Sequence, residues 1–222
     1  MKRIRTTEDF VDSISKEHLW RMREISQLNL LIANSQKDPS KQRLLIRCAI
    51  PILYAHWEGF IKHSASCFLE LVIALKYKFG EIVLALQATG QLRQFKASLS
   101  TLQIDKYHSS LALFTKDKND YFRCNTESTI DTADNLDSAI LKRIICSLGL
   151  DYGFFATKEK LLDGILLYYR NNIAHGKDWV LQYDEFTSLH DAVLEMINQF
   201  RNQIENTAVQ KSYLRNSANV QK

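Results

Sequence analysis

"KQRLLIRCAIPILYAHWEGFIKHSASCFLELVIALKY", Lys41 to Tyr77, places apolar or small side chains at Leu45, Ala49, Leu53, Trp57, Phe60, Ser64, Cys67, Leu71 and Leu75. Steps of three and four residues keep one face of an α-helix for about ten turns. A half-buried strand needs strict alternation instead, and none runs through this stretch. Pro51 has no backbone donor and predicts a kink; the seam continues on both sides, so no break is expected. Ser40 is the expected cap at the start.

Working outward, Phe10, Ile14, Leu19, Met22, Ile25, Leu28, Leu31 and Ile32 predict a first helix from Thr6 to about Ser35. The turn signal "NSQKDPS" joins the two helices, and so short a connection predicts antiparallel packing. Residues 79–135 are less regular, with helical pieces expected at Ile82–Leu86 and Leu92–Leu113. Within 117–137 six acidic residues face two basic ones, while the 27 other basic residues against 19 other acidic ones leave the remainder at +8. This segment reads as an exposed acidic insertion, a poor surface for RNA. Helices are expected again at Leu136–Leu148, Lys158–His175 and Tyr183–Asn206, with a frayed tail over 207–222. The predicted fold is all-α: one domain over 1–206, with two long antiparallel N-terminal helices, an irregular insertion at about 79–135 and three shorter C-terminal helices.

Composition agrees with this. The 222 residues include only seven glycines and two prolines, too few for a many-turned β fold. No apolar stretch is expected to reach the ~18 residues of a spanning helix, and "MKRIRTTEDF" lacks the apolar core of a secretory signal. A cytoplasmic protein without a membrane partner is the expectation. The four cysteines are widely spaced, which supports neither a zinc nor a redox site, and Cys48 and Cys67 read as buried free thiols. A net charge of +4 is compatible with an acidic partner without implying one.

"GILLYYRNNIAHGKDW", Gly164 to Trp179, holds the chemistry. Leu162, Ile165, Leu166, Tyr169 and Ile173 share one face, while Arg170, Asn171 and His175 lie off it. Arg and His near a helix C-terminus also suit its dipole without any further role. Cleaving RNA without a metal, however, requires proton transfer from a 2′-hydroxyl and to a 5′ oxygen, together with stabilisation of a crowded phosphorane. Histidine suits the first task and the planar fork of arginine the second. Asn171, four residues before His175, is placed to orient the imidazole. Five positions turn about 140° and rise about 7.5 Å, so Arg170 and His175 do not point into one site on an ideal helix. Either the last turn loosens, or two subunits each contribute one residue.

"RNNIAH" resembles the Arg-x4-6-His signature of the HEPN superfamily (higher eukaryotes and prokaryotes nucleotide-binding), including the Asn after the Arg. "ILYAHWEGFIK" resembles the Trp-Glu-Gly-bearing helix of its stand-alone prokaryotic toxin-type group. The resemblance implies an endoribonuclease that needs neither metal nor cofactor, works as a homodimer with the motif at the interface, and belongs to a toxin–antitoxin or phage-defence system. Arg170 would stabilise the scissile phosphate and His175 would transfer protons, with Asn171 in support. Glu58 either pairs with Lys62 on the surface or reaches the motif helix as a further catalytic group. Asn172, Lys177 and Trp179 are the expected RNA contacts, although Trp179, like Trp20 and Trp57, reads first as a packing anchor and second as a platform for a base. His56 and His63 read as partly buried structural side chains. The rival readings are a HEPN-like RNA-binding or antitoxin partner that does not cleave, and a helical interaction protein. An antitoxin protein is the further partner that the first reading implies.

Overall fold

The computed structural model describes residues 3–99, 104–105, 119–132 and 135–215, with side chains of 93–99 excepted. Helix α1 spans Thr7–Ala33, and the Thr6 hydroxyl accepts from Asp9 N at 3.1 Å to cap it. Helix α2 spans Pro39–Ala74. Its cap is Asp38 rather than Ser40: the carboxylate accepts from Lys41 N at 3.0 Å, and Pro39, with its pre-set φ, takes the first helical position. Helix α2 runs unbroken through Pro51. An interior proline costs about 3 kcal/mol. Fully burying Ile50, Leu53 and Tyr54 beside it contributes roughly 1.5–3 kcal/mol each, and packing prevails.

Contacts along the pair run in opposite directions. Ser13 meets His63 at 2.9 Å, Arg21 lies against His56, and the Gln42 amide donates to Ile32 O at 3.3 Å, so α1 and α2 are antiparallel. The buried face of α1 is Phe10, Ile14, Arg21, Ile25 and Ile32. Leu19 and Leu31, expected in the seam, are exposed, because the face that meets α2 follows steps of three and four from Phe10 that bypass both. Cys67 is buried as expected, whereas Cys48 is exposed. Buried residues ring most of the circumference of α2, far beyond one seam, which makes it the central helix of the fold. Contrary to the sequence expectation, α2 is long and apolar enough to cross a membrane by length and composition, with half of that apolar window buried inside the fold.

The chain continues with a 3-10 turn at Phe79–Glu81, α3 at Leu84–Leu99, α4 at Thr126–Thr129, α5 at Ser138–Ser147 and α6 at Gly153–Ala156. The expected helix at Ile82–Leu86 begins two residues late, and the part of the Leu92–Leu113 helix beyond Leu99 lies outside the described residues apart from 104–105. The described ends of the insertion are anchored by apolar side chains, while the acidic Asp120, Glu127 and Asp131 are exposed as expected. Ile82, Leu86, Phe122, Ile130 and Leu136 are buried, and Phe122 N donates to Tyr77 O at 2.8 Å. Further on come α7 at Glu159–Leu161, a π-helical segment at Leu162–Leu167, α8 at Tyr168–Ala174 and α9 at Tyr183–Val209. Helix α9 lies antiparallel to α1, joined by His18–Asn198 at 2.7 Å and Arg201–Ser15 at 3.5 Å. Residues 207–215 correct the expected fraying. Tyr213 is buried against Phe68 and Tyr77, and Tyr213 O and Arg215 N bond back to Val83 and Glu81.

Burial holds the imidazoles of His18, His56 and His63 below their ordinary range. The unfolded chain binds protons near pH 6.5, where these three sites still resist them. Their contribution to stability is therefore complete above about pH 6.5 and is lost as pH falls through the lower folded values. Urea unfolding should show a lower midpoint at pH 5.5 than at pH 7.5, and His56→Gln should reduce that difference in part, His18 and His63 still contributing; equal midpoints in the wild type would contradict it.

Candidate functional site

The motif helix is not uniform. Leu162 and Leu166 are buried, but Ile165 is 37% exposed. The wider π-helical turn over Leu162–Leu167 shifts the side-chain register, which moves Ile165 out of the face that α-helical spacing assigns it. Gly164, within this segment, faces open space. Helix α8 then resumes ordinary geometry and ends at His175.

That end is a Schellman closure. Gly176 takes φ +77°, Gly176 N donates to Ile173 O and Lys177 N to Asn172 O, both at 3.0 Å. His175 is the last residue before the reversal, with φ −86° and ψ 12°, and its side chain is exposed. The following loop is held from α2: Arg43 Nη2 forks onto both Asp178 oxygens at 2.9 and 3.0 Å, and Arg47 Nη1 donates to Trp179 O at 3.1 Å.

Arg170 points the other way, into the fold. Its Nη1 donates to Asn135 Oδ1 at 2.5 Å and to Asn171 Oδ1 at 2.7 Å, and its guanidinium carbon lies 4.6 Å from the centre of the Tyr54 ring. The Nε and Nη2 donors have no partner among the described residues, so an unspent fork edge remains for an anion. Tyr54 is buried and its hydroxyl accepts from Leu136 N at 2.6 Å. Burial, and next to it the Glu58 carboxylate, push its phenol up to about 12 against the lowering effect of Leu136 N and Arg170. Glu58, one turn along α2, accepts from the buried Thr132 hydroxyl at 2.6 Å.

The geometry therefore divides the expected residues. Glu58, Arg170 and Asn171 belong to one network, in which Thr132 and Asn135 link the first two and the Tyr54 ring lies against Arg170. Glu58 makes no ion pair with Lys62 or Arg170 among the described residues; it reaches the motif helix through Thr132, whose carbonyl accepts from Asn135 N at 3.2 Å, and through Asn135, which accepts from Arg170. Asn171 binds Arg170 rather than His175. No hydrogen bond joins Arg170 to His175. Asn172, expected at the RNA surface, is buried, and its amide donates to Tyr168 O at 2.7 Å inside the helix. Lys177 is exposed, and Trp179, 40% exposed, packs edge-on against Tyr168 (ring centres 5.4 Å) and Tyr169 (5.9 Å). His56 is buried and His63 half-buried, as expected. Among the described residues no group of three or more His, Cys, Asp or Glu side chains is placed to hold a metal ion.

Tyr54, Thr132 and Asn135 were not legible as site residues. Tyr54 did carry a signal, since it stands four residues before Glu58 on one face of α2. Thr132 and Asn135 come from the end of the acidic segment, and only the folded chain brings them near.

Among known families, the model of the RiboL-PSP-HEPN family matches residues 16–206. No curated protein and no solved structure matches the chain.

Proposed function

The chain belongs to the RiboL-PSP-HEPN family, whose helical domains are of the nuclease and RNA-binding kind, and from that membership we propose that it is a metal-independent endoribonuclease, the cytoplasmic toxin of a toxin–antitoxin or phage-defence system neutralised by an antitoxin protein. The observation that carries this reading is the unspent Nε–Nη2 edge of Arg170, held in place by Asn135, Asn171 and Tyr54 on the helix that ends in an exposed His175. Such an edge grips two non-bridging phosphate oxygens in a side-on fork.

In the proposed reaction the 2′-hydroxyl loses its proton and its oxygen attacks the adjacent phosphorus. The bond to the 5′ oxygen breaks, and that oxygen leaves with a proton. The products are a 2′,3′-cyclic phosphate and a 5′-hydroxyl. His175 transfers protons, Arg170 stabilises the extra charge on the phosphorane, and Asn171 holds Arg170. Glu58 supports the same network through Thr132 and Asn135. Lys177 and Trp179 contact the RNA beside His175.

Arg170 turns inward and His175 outward in one chain, which favours a homodimer in which each site takes Arg170 from one subunit and His175 from the other. Complementation tests both statements. Arg170→Ala and His175→Ala should each fail to cleave a total RNA pool in EDTA, and a mixture that exchanges subunits should regain cleavage, because half of the sites in each heterodimer are intact. A wild type that leaves RNA whole would refute the nuclease, and a mixture that stays inactive would refute the composite site.

A further inference from the structure

We propose that Tyr54 is a positioning residue for Arg170: its buried ring sets the plane of the guanidinium, so that the free Nε–Nη2 edge faces a bound RNA phosphate. The inference rests on the reading of Arg170 as the phosphate-binding group. Two sets of contacts fix a planar ion completely. Asn135 and Asn171 take both donors of Nη1 and so set its rotation within the plane. They leave the plane itself free to tilt. The Tyr54 face, 4.6 Å from the guanidinium carbon, removes that freedom by cation–π attraction that is strengthened where water is excluded. Tyr54 is itself immobile: it is 1% exposed, and its hydroxyl is tied to Leu136 N.

The two functions of this side chain are separable. Tyr54→Phe keeps the ring and removes the acceptor for Leu136 N, whereas Tyr54→Leu removes both. A merely structural tyrosine predicts that both variants lose activity in step with stability. Positioning predicts otherwise. Both variants should melt earlier than the wild type, but Tyr54→Phe should cleave unpaired RNA with kcat within about threefold of it. Tyr54→Leu should lose about tenfold to a hundredfold in kcat with KM little changed, the signature of a misdirected catalytic group.

A second readout does not depend on cleavage. The Arg170 Nε–H resonance, assigned by its loss in Arg170→Lys, should carry a ring-current shift that survives in Tyr54→Phe and vanishes in Tyr54→Leu. Equal cleavage by the two variants, or an unchanged resonance in Tyr54→Leu, would overturn the proposal. Should the wild type not cleave RNA at all, the nuclease reading falls alone. The positioning role is then decided by the resonance, whose shift must survive in Tyr54→Phe and vanish in Tyr54→Leu.

Discussion

Arg170→Lys is expected to slow RNA cleavage by about a hundredfold or more, nearly the loss caused by Arg170→Ala, even though the positive charge is kept. The reason is donor geometry. Arg170 spends Nη1 on Asn135 and Asn171 and keeps a second, parallel edge for the phosphate. A lysine has one nitrogen with three donors, and two of these would be drawn to the same amide oxygens, so no fork remains. Nor has it a flat face to lie on Tyr54. Single-turnover cleavage in EDTA would measure the effect, with a melting curve to show that the variant is folded. If Arg170→Lys keeps a tenth or more of the wild-type rate, Arg170 acts as a point charge and not as a fork.

The long helices were readable because their periodicity is local and repeats for many turns. The Trp-Glu-Gly run of α2 was readable only as a pattern, and the fold gives its three members separate reasons. Trp57 fills the core, Glu58 turns to Thr132, and Gly59 makes room for Arg21, whose Nη1 would lie 2.8 Å from any Cβ placed there. The π-helical turn was hidden, since no residue in "LDGILL" demands it and only the exposure of Ile165 betrays it. Long-range partners account for the other misses. Asn135 meets Arg170 across 35 positions and Thr132 meets Glu58 across 74, distances over which sequence spacing carries no geometry. For the same reason the amide of Asn171 looked free to serve His175, and the segment after Thr207 looked idle until Tyr213 was seen packed on Phe68 and Tyr77.

The largest stability effect is expected at Trp57. Its side chain is fully buried, close to Phe155, which in turn packs against Phe200 of α9, so it lies where the central helix meets the C-terminal half. Trp57→Ala removes that volume and leaves a cavity beside Phe155, at a cost of about 3–5 kcal/mol. For a chain of this size each kcal/mol lowers the melting temperature by about 2–4 °C, so a drop of roughly 6–20 °C is expected. Trp57→Phe should lose much less. It keeps most of the apolar contact, and it removes an indole N–H that has no hydrogen-bond partner among the described residues. Urea or thermal unfolding of the two variants checks the order. Trp57 makes no contact with Arg170, Asn135 or Thr132 in the hydrogen-bond network of the site, so folded Trp57→Ala, assayed well below its melting point, should cleave at close to the wild-type rate per folded molecule. If the variant is folded yet inactive, α2 transmits the packing of Trp57 to Glu58 and Tyr54, and Trp57 belongs to the site as well as to the core.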